Sequence, residues 1–210
     1  MTPSEALSLL DWKRRIFDLY RRVREFDDVP AAWSLWRATR DELFARHPQS
    51  PIPPQGRDGF RGLGYFDYDP HMRVVADLLA AEPEHFDIGT SDGSTFGFTR
   101  FADAHFFMHG EELRLSAYWL DGYGGGVFLP FRDKTAGRET YGAGRYLLDT
   151  VKGADLGSKG DRLILDFNFA YNPSCAYDPR WVCPLAPPAN RLDVKIEAGE
   201  RAPAKGPPRS

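Results

Sequence analysis

The first helix is predicted from apolar residues that recur every three or four positions between residues 3 and 26. This spacing places them on one stripe of a helix with 3.6 residues per turn. The stripe consists of Leu9, Trp12, Ile16, Leu19, Val23 and Phe26. Thr2, Pro3 and Glu5 supply an N-cap, a proline at the first helical position and the glutamate of a capping box. We therefore predict an amphipathic helix over this region.

A second helix is predicted to begin near residues 28–30, where Asp28 precedes a valine and a proline. Its apolar positions are Trp33, Trp36, Leu43 and Phe44. It should end before the His47-Pro48 pair, because the residue that precedes proline is driven out of the helical conformation. The next segment, HPQSPIPPQG, has four prolines in ten residues. We expect it to be a linker or a packed extended strap.

From residue 60 onward the period of the pattern changes from 3.6 to 2. Residues 72–79 alternate along a strand, and His109-Gly110 is expected to form a hairpin turn between AHFFM and LRLSAYWL. Further short strands are predicted at residues 96–101, 127–132, 143–148, 162–169 and 192–197. Short strands without intervening helices indicate an antiparallel sheet. The predicted fold class is therefore mainly β with N-terminal helices (α+β), a β-sandwich or barrel covered by one or two helices.

This pattern divides the chain into three parts. Residues 1–56 form a helical segment with its proline-rich strap, and residues 57–200 form the antiparallel β domain. The last dozen residues, GERAPAKGPPRS, contain no apolar residue larger than alanine. We therefore expect residues 201–210 to be a disordered tail.

Composition narrows the classes of partner and compartment. The chain has 210 residues, of which 42% are hydrophobic, so one sizeable core is expected. A formal charge of −3 does not favour nucleic acid or anionic membranes as partners. No apolar run approaches the roughly 18 residues of a spanning helix, and the N-terminus lacks the pattern of a signal peptide. A cytoplasmic location is expected, while the oligomeric state stays open.

Several short motifs match known sites only in part. The stretch GTSDG at residues 89–93 matches a hydrolase nucleophile elbow, but a strand-like segment follows it where that motif needs a helix, so Ser91 is predicted to be a turn residue. The glycine-rich stretches at residues 121–127 and 141–147 lack the lysine and hydroxyl pair of a phosphate-binding loop. His105 and His109 have no evident third ligand, so no metal site is predicted. No cofactor is indicated by any motif.

Cys175 and Cys183 are the only cysteines, and seven residues separate them. In a reducing compartment they are expected to be thiols rather than a disulfide. Three alternatives remain: packed and inert thiols, a disulfide or redox pair, and a reactive thiol or metal ligand. A reactive Cys175 would need a neighbour that lowers its pKa. Arg180 is near it in sequence.

Polar residues on the predicted strands carry the clearest candidate chemistry. In RLILDFNF, alternation sends Leu163, Leu165, Phe167 and Phe169 to one face and leaves Arg162, Asp166 and Asn168 on the other with Ile164. We expect Arg132, Tyr141, Arg145, Asp166 and Asn168 to converge on one concave surface, with Asp133 and Asn172 as further members. Arginine side chains in such a cluster bind carboxylate or phosphate groups.

Two hypotheses follow from this cluster. The first is a pocket for a small polar or anionic ligand, lined by Arg145, Asp166 and Asn168; if the protein is an enzyme, Asp166 is the candidate general acid or base. The second is a non-catalytic structural or interaction protein, in which Arg145 and Asp166 form a buried pair that fixes strand register.

The C-terminal half of the chain resembles an uncharacterised prokaryotic family, the domain of unknown function 1684. The resemblance is carried by FRDKTAGRETYGAGRYL, by DFNFAYNPSCAY and by CPLAPPANRL. The segments WRATRDELFARHPQSPI and YFDYDP are also similar to the family, so the resemblance covers roughly residues 30–200. It implies a common fold and a shared polar cluster, and it implies no activity, substrate or cofactor.

Overall fold

The computed structural model describes residues 1–203 and begins with the helices α1 (Pro3–Glu25) and α2 (Val29–Arg46). The side chain of Thr2 accepts a hydrogen bond from Glu5 N–H, and the Glu5 carboxylate accepts one from Thr2 N–H, which completes the capping box. Asp28 caps α2 by accepting from Ala31 N–H. Both helices are confirmed to within one or two residues. The proline-rich strap contains a short third helix, α3 (Pro54–Arg57).

One open antiparallel sheet forms the rest of the structure. Its strands are β1 (Arg73–Gly89), β2 (Thr95–Met108), β3 (Glu111–Leu120), β4 (Val127–Phe131), β5 (Arg145–Asp149), β6 (Ser158–Lys159) and β7 (Arg162–Asp166). Their order across the sheet is β5-β4-β3-β2-β1-β7-β6. The α+β class with an antiparallel sheet is confirmed, and within residues 1–203 the sheet does not close on itself.

The hairpin between β2 and β3 forms at the predicted turn. Met108 pairs with Glu111, and the two residues between them have positive φ angles, 55° at His109 and 79° at Gly110. Positive φ at both central positions is typical of the hairpin turns whose twist matches that of the strands. The turn therefore sets the register of the two strands.

Strand β1 is longer than predicted and contains an irregularity. Its register with β2 shifts between Ala80 and Glu84, and Pro83 lies in this interval. Strand β7 pairs only with Arg73–Ala76, so the later part of β1 lies beyond the reach of β7. Proline lacks the N–H that a central ladder needs, which explains its place at a bulge on an edge.

Two predicted strands differ from the structure. Strand β7 ends at Asp166, because the Asp166 side chain accepts a hydrogen bond from Asn168 N–H and starts a 3-10 helix at Phe167–Phe169. The predicted alternation of faces therefore fails after residue 166, and Asn168 is buried together with both phenylalanines. Residues 192–197 form no strand. They bond along residues 132–134 instead, through Leu192 N to Arg132 O and Lys134 N to Val194 O.

The helices and the sheet share one hydrophobic core. It joins α1 and α2 to the inner face of the sheet and to the C-terminal segment around Ile196 and Ala198. Of the expected tail, Arg201 donates a backbone hydrogen bond to Gly64 and Ala202 donates one to Glu139. Residues 204–210 lie outside the described residues. The C-terminal segment thus packs beside both the helices and the sheet.

Candidate functional site

Arg145, at the start of β5, is only 1% exposed. Its guanidinium donates to the carbonyls of Ile196 (3.0 Å), Ala198 and Glu200 (3.2 Å), and it pairs with the Asp133 carboxylate at 3.3 Å. Burial lowers the pKa of Arg145, while Asp133 acts to raise it. The arginine therefore holds the C-terminal segment against the sheet.

Both carboxylate oxygens of Asp133 accept hydrogen bonds, and one of them faces Arg145. Its second oxygen accepts hydrogen bonds from Thr135 N–H, the Thr135 hydroxyl and Ile196 N–H, at 2.8–3.1 Å. A ligand carboxylate that reached Arg145 would have to displace Asp133 or the backbone carbonyls. Among the Arg145 guanidinium nitrogens, only Nε is buried without a hydrogen-bond partner within residues 1–203, and both Asp133 oxygens are occupied.

Asp166 and Asn168 belong to a different network. The Asn168 side-chain amide donates to Asp166 (2.9 Å) and to the Asp69 carbonyl (2.7 Å), and its oxygen accepts from Asp69 N–H. The Asn168 backbone carbonyl accepts from the Trp33 indole N–H at 3.0 Å. Asn168 therefore links α2, the segment before β1 and the end of β7.

The expected convergence of Arg145 with Asp166 does not occur, because Arg145 pairs with Asp133. Four strands lie between β5 and β7 in the sheet order, so the two residues start far apart in the sheet. Arg132 is exposed on the surface. Of the other predicted residues, Asn172 bonds to the C-terminal segment and Tyr141 lies beside Cys175. The seven residues thus occupy several sites rather than one pocket.

Glu200 and Arg40 are buried charged residues that the sequence analysis missed. Glu200 is fully buried, and its carboxylate accepts from Arg40 (2.9 Å), from Asn172 N–H (2.9 Å) and from the Tyr177 hydroxyl. Burial raises the pKa of Glu200, although Arg40 acts to lower it. Arg40 lies four residues after Trp36 on the apolar stripe of α2, which is a signal of burial. Glu200 gave no such signal, since it lies within a polar stretch.

The two cysteines are free thiols that lie close together in the loop after β7. Cys183 is 3% exposed and Cys175 is half-buried. The Cys175 N–H donates to Cys183 Sγ at 3.4 Å, and the Tyr141 hydroxyl lies 3.9 Å from Cys175 Sγ. Of the three alternatives for the cysteines, a redox pair is therefore compatible with the geometry.

Hydrogen bonding separates the pKa values of the two thiols. The pKa of Cys175 is lowered from 9.0 to about 6, chiefly because the Cys183 thiol donates a hydrogen bond to its sulfur. Burial acts in the opposite direction, and the Tyr141 hydroxyl near the Cys175 sulfur lowers the pKa further. The same hydrogen bond, together with burial, raises the pKa of Cys183. These effects favour the thiolate form at Cys175 and the protonated form at Cys183.

A turn and a loop hold Cys183 in place. The Ser91 N–H donates to the Cys183 carbonyl at 3.0 Å, and Cys183 N–H donates to the Ser91 hydroxyl at 3.2 Å. Ser91 lies in the turn before β2, as predicted, and no helix follows it. Arg180 pairs with Asp178 and donates to the Ser50 carbonyl, so its guanidinium is committed elsewhere.

Two further observations concern metal binding and membrane insertion. Within residues 1–203, no cluster of three or more His, Cys, Asp and Glu side chains could hold a metal ion. In the same range, no helix has the length and apolar character needed to cross a membrane.

A surface cleft of about 430 Å³ lies beside the cysteine loop, between the first turns of α1 and the residues Arg180 and Trp181.

Comparison with known proteins decides the family. The family model described as "Protein of unknown function (DUF1684)" matches residues 58–201. The chain belongs to this family. The DUF1684 match contains Tyr141, Arg145 and both cysteines, while Arg40 precedes it. The predicted resemblance is thereby confirmed.

A solved structure supports the DUF1684 assignment. The solution NMR structure of an uncharacterized protein of Haloarcula marismortui is 40% identical to this chain, with a TM-score of 0.61. The similarity covers 85% of this chain and 97% of that chain. No curated protein matches the chain.

Proposed function

We propose that this DUF1684 chain is a thiol redox protein and that Cys175 is its reactive group. The observation that carries the proposal is the contact between the two cysteines, with 3.4 Å from Cys175 N to Cys183 Sγ. The lowered pKa of Cys175, about 6, supports the proposal because the thiolate is the reactive form of a cysteine. A thiolate that is half-exposed is accessible to reagents, whereas a fully buried thiol is inert.

The pH dependence of alkylation tests this proposal. In the native chain, the rate of Cys175 alkylation by iodoacetamide is expected to rise through an inflection near pH 6. In Cys183→Ala the inflection should move toward the ordinary pKa of about 8.5, because the main hydrogen-bond donor is lost. Cys175→Ala is the control, and its buried Cys183 should react slowly. An inflection above pH 8 in the native chain would disprove the proposal.

A structural role for the Arg145 network is a second candidate function. It is supported by the burial of Arg145 and by its four hydrogen-bond acceptors. Arg145→Met is expected to lower the free energy of unfolding by about 3–5 kcal/mol, since Asp133 would remain buried without its cation. Arg132→Met is the matched control, because Arg132 is exposed and lies one residue before Asp133. This variant should change the free energy of unfolding by about 0.5 kcal/mol or less. Urea unfolding at pH 7 measures both; equal effects would argue against this role.

Binding of a small polar or anionic ligand to Arg145, Asp166 and Asn168 stays a prediction. Because these side chains are at most 1% exposed, such a ligand would have to open the network. A thermal-shift screen with carboxylates, sugars and nucleotides tests it, and any true hit at this site must disappear in Arg145→Ala. We also propose a cytoplasmic location, where a reducing pool would hold the cysteines as thiols.

A further inference from the structure

We propose that Cys175 and Cys183 form a reversible disulfide by exchange with low-molecular-weight disulfides, with Cys175 as the attacking thiol and Cys183 as the resolving thiol. This inference rests on the proposed function, because it requires Cys175 to be reactive. It adds a substrate class and assigns a separate role to each cysteine.

Accessibility sets the order of attack. Cys175 lies in a short 3-10 helix, Ser174–Ala176, and is half-buried, whereas Cys183 is 3% exposed. A reagent from solution therefore reaches the Cys175 sulfur first. Since even that sulfur is only partly exposed, a small disulfide fits this position better than a folded protein partner.

The position of Cys183 suits the second step. Reciprocal hydrogen bonds with Ser91 anchor its backbone to the turn before β2. Its sulfur accepts the hydrogen bond from Cys175 N–H, so it lies against the backbone of the residue that it would attack. The two thiols thus approach each other without large rearrangement of the sheet.

The reaction balances as two exchanges. In the first, the Cys175 thiolate attacks one sulfur of the small disulfide, forms a mixed disulfide and releases one small thiolate. In the second, Cys183 loses its proton to solvent or to that thiolate, attacks the Cys175 sulfur and releases the second small thiol. The cysteine pair is oxidised by two electrons, and the small disulfide is reduced to two thiols.

The interaction between the two thiols explains why Cys183 becomes a nucleophile only in the second exchange. Before reaction, the hydrogen bond to the Cys175 sulfur is the chief cause of the raised pKa of Cys183. Once Cys175 is part of a mixed disulfide, its sulfur carries no negative charge and this cause disappears. Cys183 then ionises more readily, at the point where a nucleophile is needed.

The test is incubation of the reduced full-length chain with glutathione disulfide, followed by acid quenching and intact mass spectrometry. In the native chain we expect loss of both free thiols, no retained glutathionyl group and release of two glutathione molecules. Cys183→Ala should retain one glutathionyl group on Cys175. Cys175→Ala should remain unmodified, because its remaining thiol is buried.

The outcomes separate the inference from the proposed function. A native chain that keeps a stable glutathionyl group without an internal disulfide, while Cys175 still alkylates with an inflection near pH 6, would overturn the inference alone. A Cys175 that reacts with neither reagent would overturn both. If a variant does not fold, early quenching of the native chain replaces it, since a transient mixed disulfide must precede the internal one.

Discussion

Asp166 is a buried acid with one oxygen in use and one without a partner. Its Oδ1 accepts two hydrogen bonds from Asn168, whereas residues 1–203 provide none for Oδ2. Burial raises the pKa of Asp166 from 3.8 to about 6, against the lowering effect of those hydrogen bonds. The folded state therefore binds this proton more tightly than the unfolded state does.

Asp166 should make stability depend on pH in a defined window. Since the folded-state pKa is the higher one, its contribution to the free energy of unfolding falls as the pH rises from about 4 to about 6. Asp166→Asn keeps an oxygen acceptor for Asn168 and cannot titrate. Relative to the native chain, this variant should gain about 2 kcal/mol between pH 4 and pH 7.

Urea unfolding at several pH values measures this difference. Asp193→Asn is the control for the loss of one carboxylate, because the Asp193 side chain is 91% exposed. A difference between Asp166→Asn and the native chain that stays constant with pH would contradict the prediction.

The sequence indicates which polar residues are candidates for burial, but it does not predict which residues they bond to. The alternation around residues 162–166 places Asp166 and Asn168 on a polar face, and one of the two hypotheses predicts burial of Arg145 with Asp166. All three residues are buried, whereas Arg132 of the same predicted cluster is exposed. Their partners depend on strand order and on the course of residues 190–202, and neither leaves a local signal. Arg145 therefore pairs with Asp133 rather than with Asp166.

At the scale of elements, the C-terminal segment packs most tightly where it crosses the 3-10 helix at Phe167–Phe169. Gly199 has a φ of 73°, and a Cβ atom there would lie 2.6 Å from the Ala170 carbonyl oxygen and 2.7 Å from that of Phe167. Backbone atoms cannot move aside as a flexible side chain does. Only glycine fits at this crossing.

Gly199→Ala should therefore lower the free energy of unfolding by roughly 2–5 kcal/mol, from left-handed strain plus steric overlap. Gly89→Ala is the matched control: no atom lies within 4 Å of its added Cβ and its φ is not positive. That variant should stay within about 0.5 kcal/mol of the native chain. Thermal and urea unfolding of the two variants compare them, and similar losses would refute the packing argument.

Elements defined by local chemistry were predicted well. Thr2, Glu5 and Asp28 cap their helices through contacts within three residues, and the β2–β3 hairpin depends on a two-residue turn. Residues 192–197 alternate like a strand, but their hydrogen bonds go to a loop. An alternating sequence pattern indicates alternating burial. A packed extended segment has this pattern just as a strand does.

At the scale of the whole molecule, the Arg40–Glu200 pair joins α2 to the C-terminal segment. Burial alone would lower the pKa of Arg40, but Glu200 and Tyr65 raise it above its ordinary value. The Arg40 guanidinium also lies over the rings of Trp36, Phe44 and Tyr171, at 4.9–5.1 Å. Both charged groups are thus removed from water and compensated within the core.

Glu200→Gln should lower the free energy of unfolding by about 3–5 kcal/mol, because Arg40 stays charged and buried. Adding Arg40→Met to it should recover part of that loss, so the two substitutions should be non-additive. Glu197→Gln removes an exposed carboxylate three residues earlier and should cost about 1 kcal/mol or less. A double-mutant cycle in urea measures the coupling, and strict additivity would show that the pair contributes nothing.

The candidate site was only partly accessible from the sequence. The cysteine pair was recognised as one of three alternatives, since spacing alone does not tell whether two sulfurs meet. Tyr141 contacts Cys175 and Ser91 contacts Cys183 through long-range contacts that no local pattern encodes. The family resemblance located the relevant region without specifying its chemistry.

The pairing of Arg40 with Glu200 also has a consequence for biosynthesis. The partners are 160 residues apart, and at about 5–20 residues per second the ribosome adds Glu200 roughly 8–32 seconds after Arg40. During that interval the nascent helices present an apolar face that contains an uncompensated cation. The helices can pack on the sheet with this cation paired only after the segment that carries Glu200 has been made, so we expect this step of folding to follow the synthesis of residue 200.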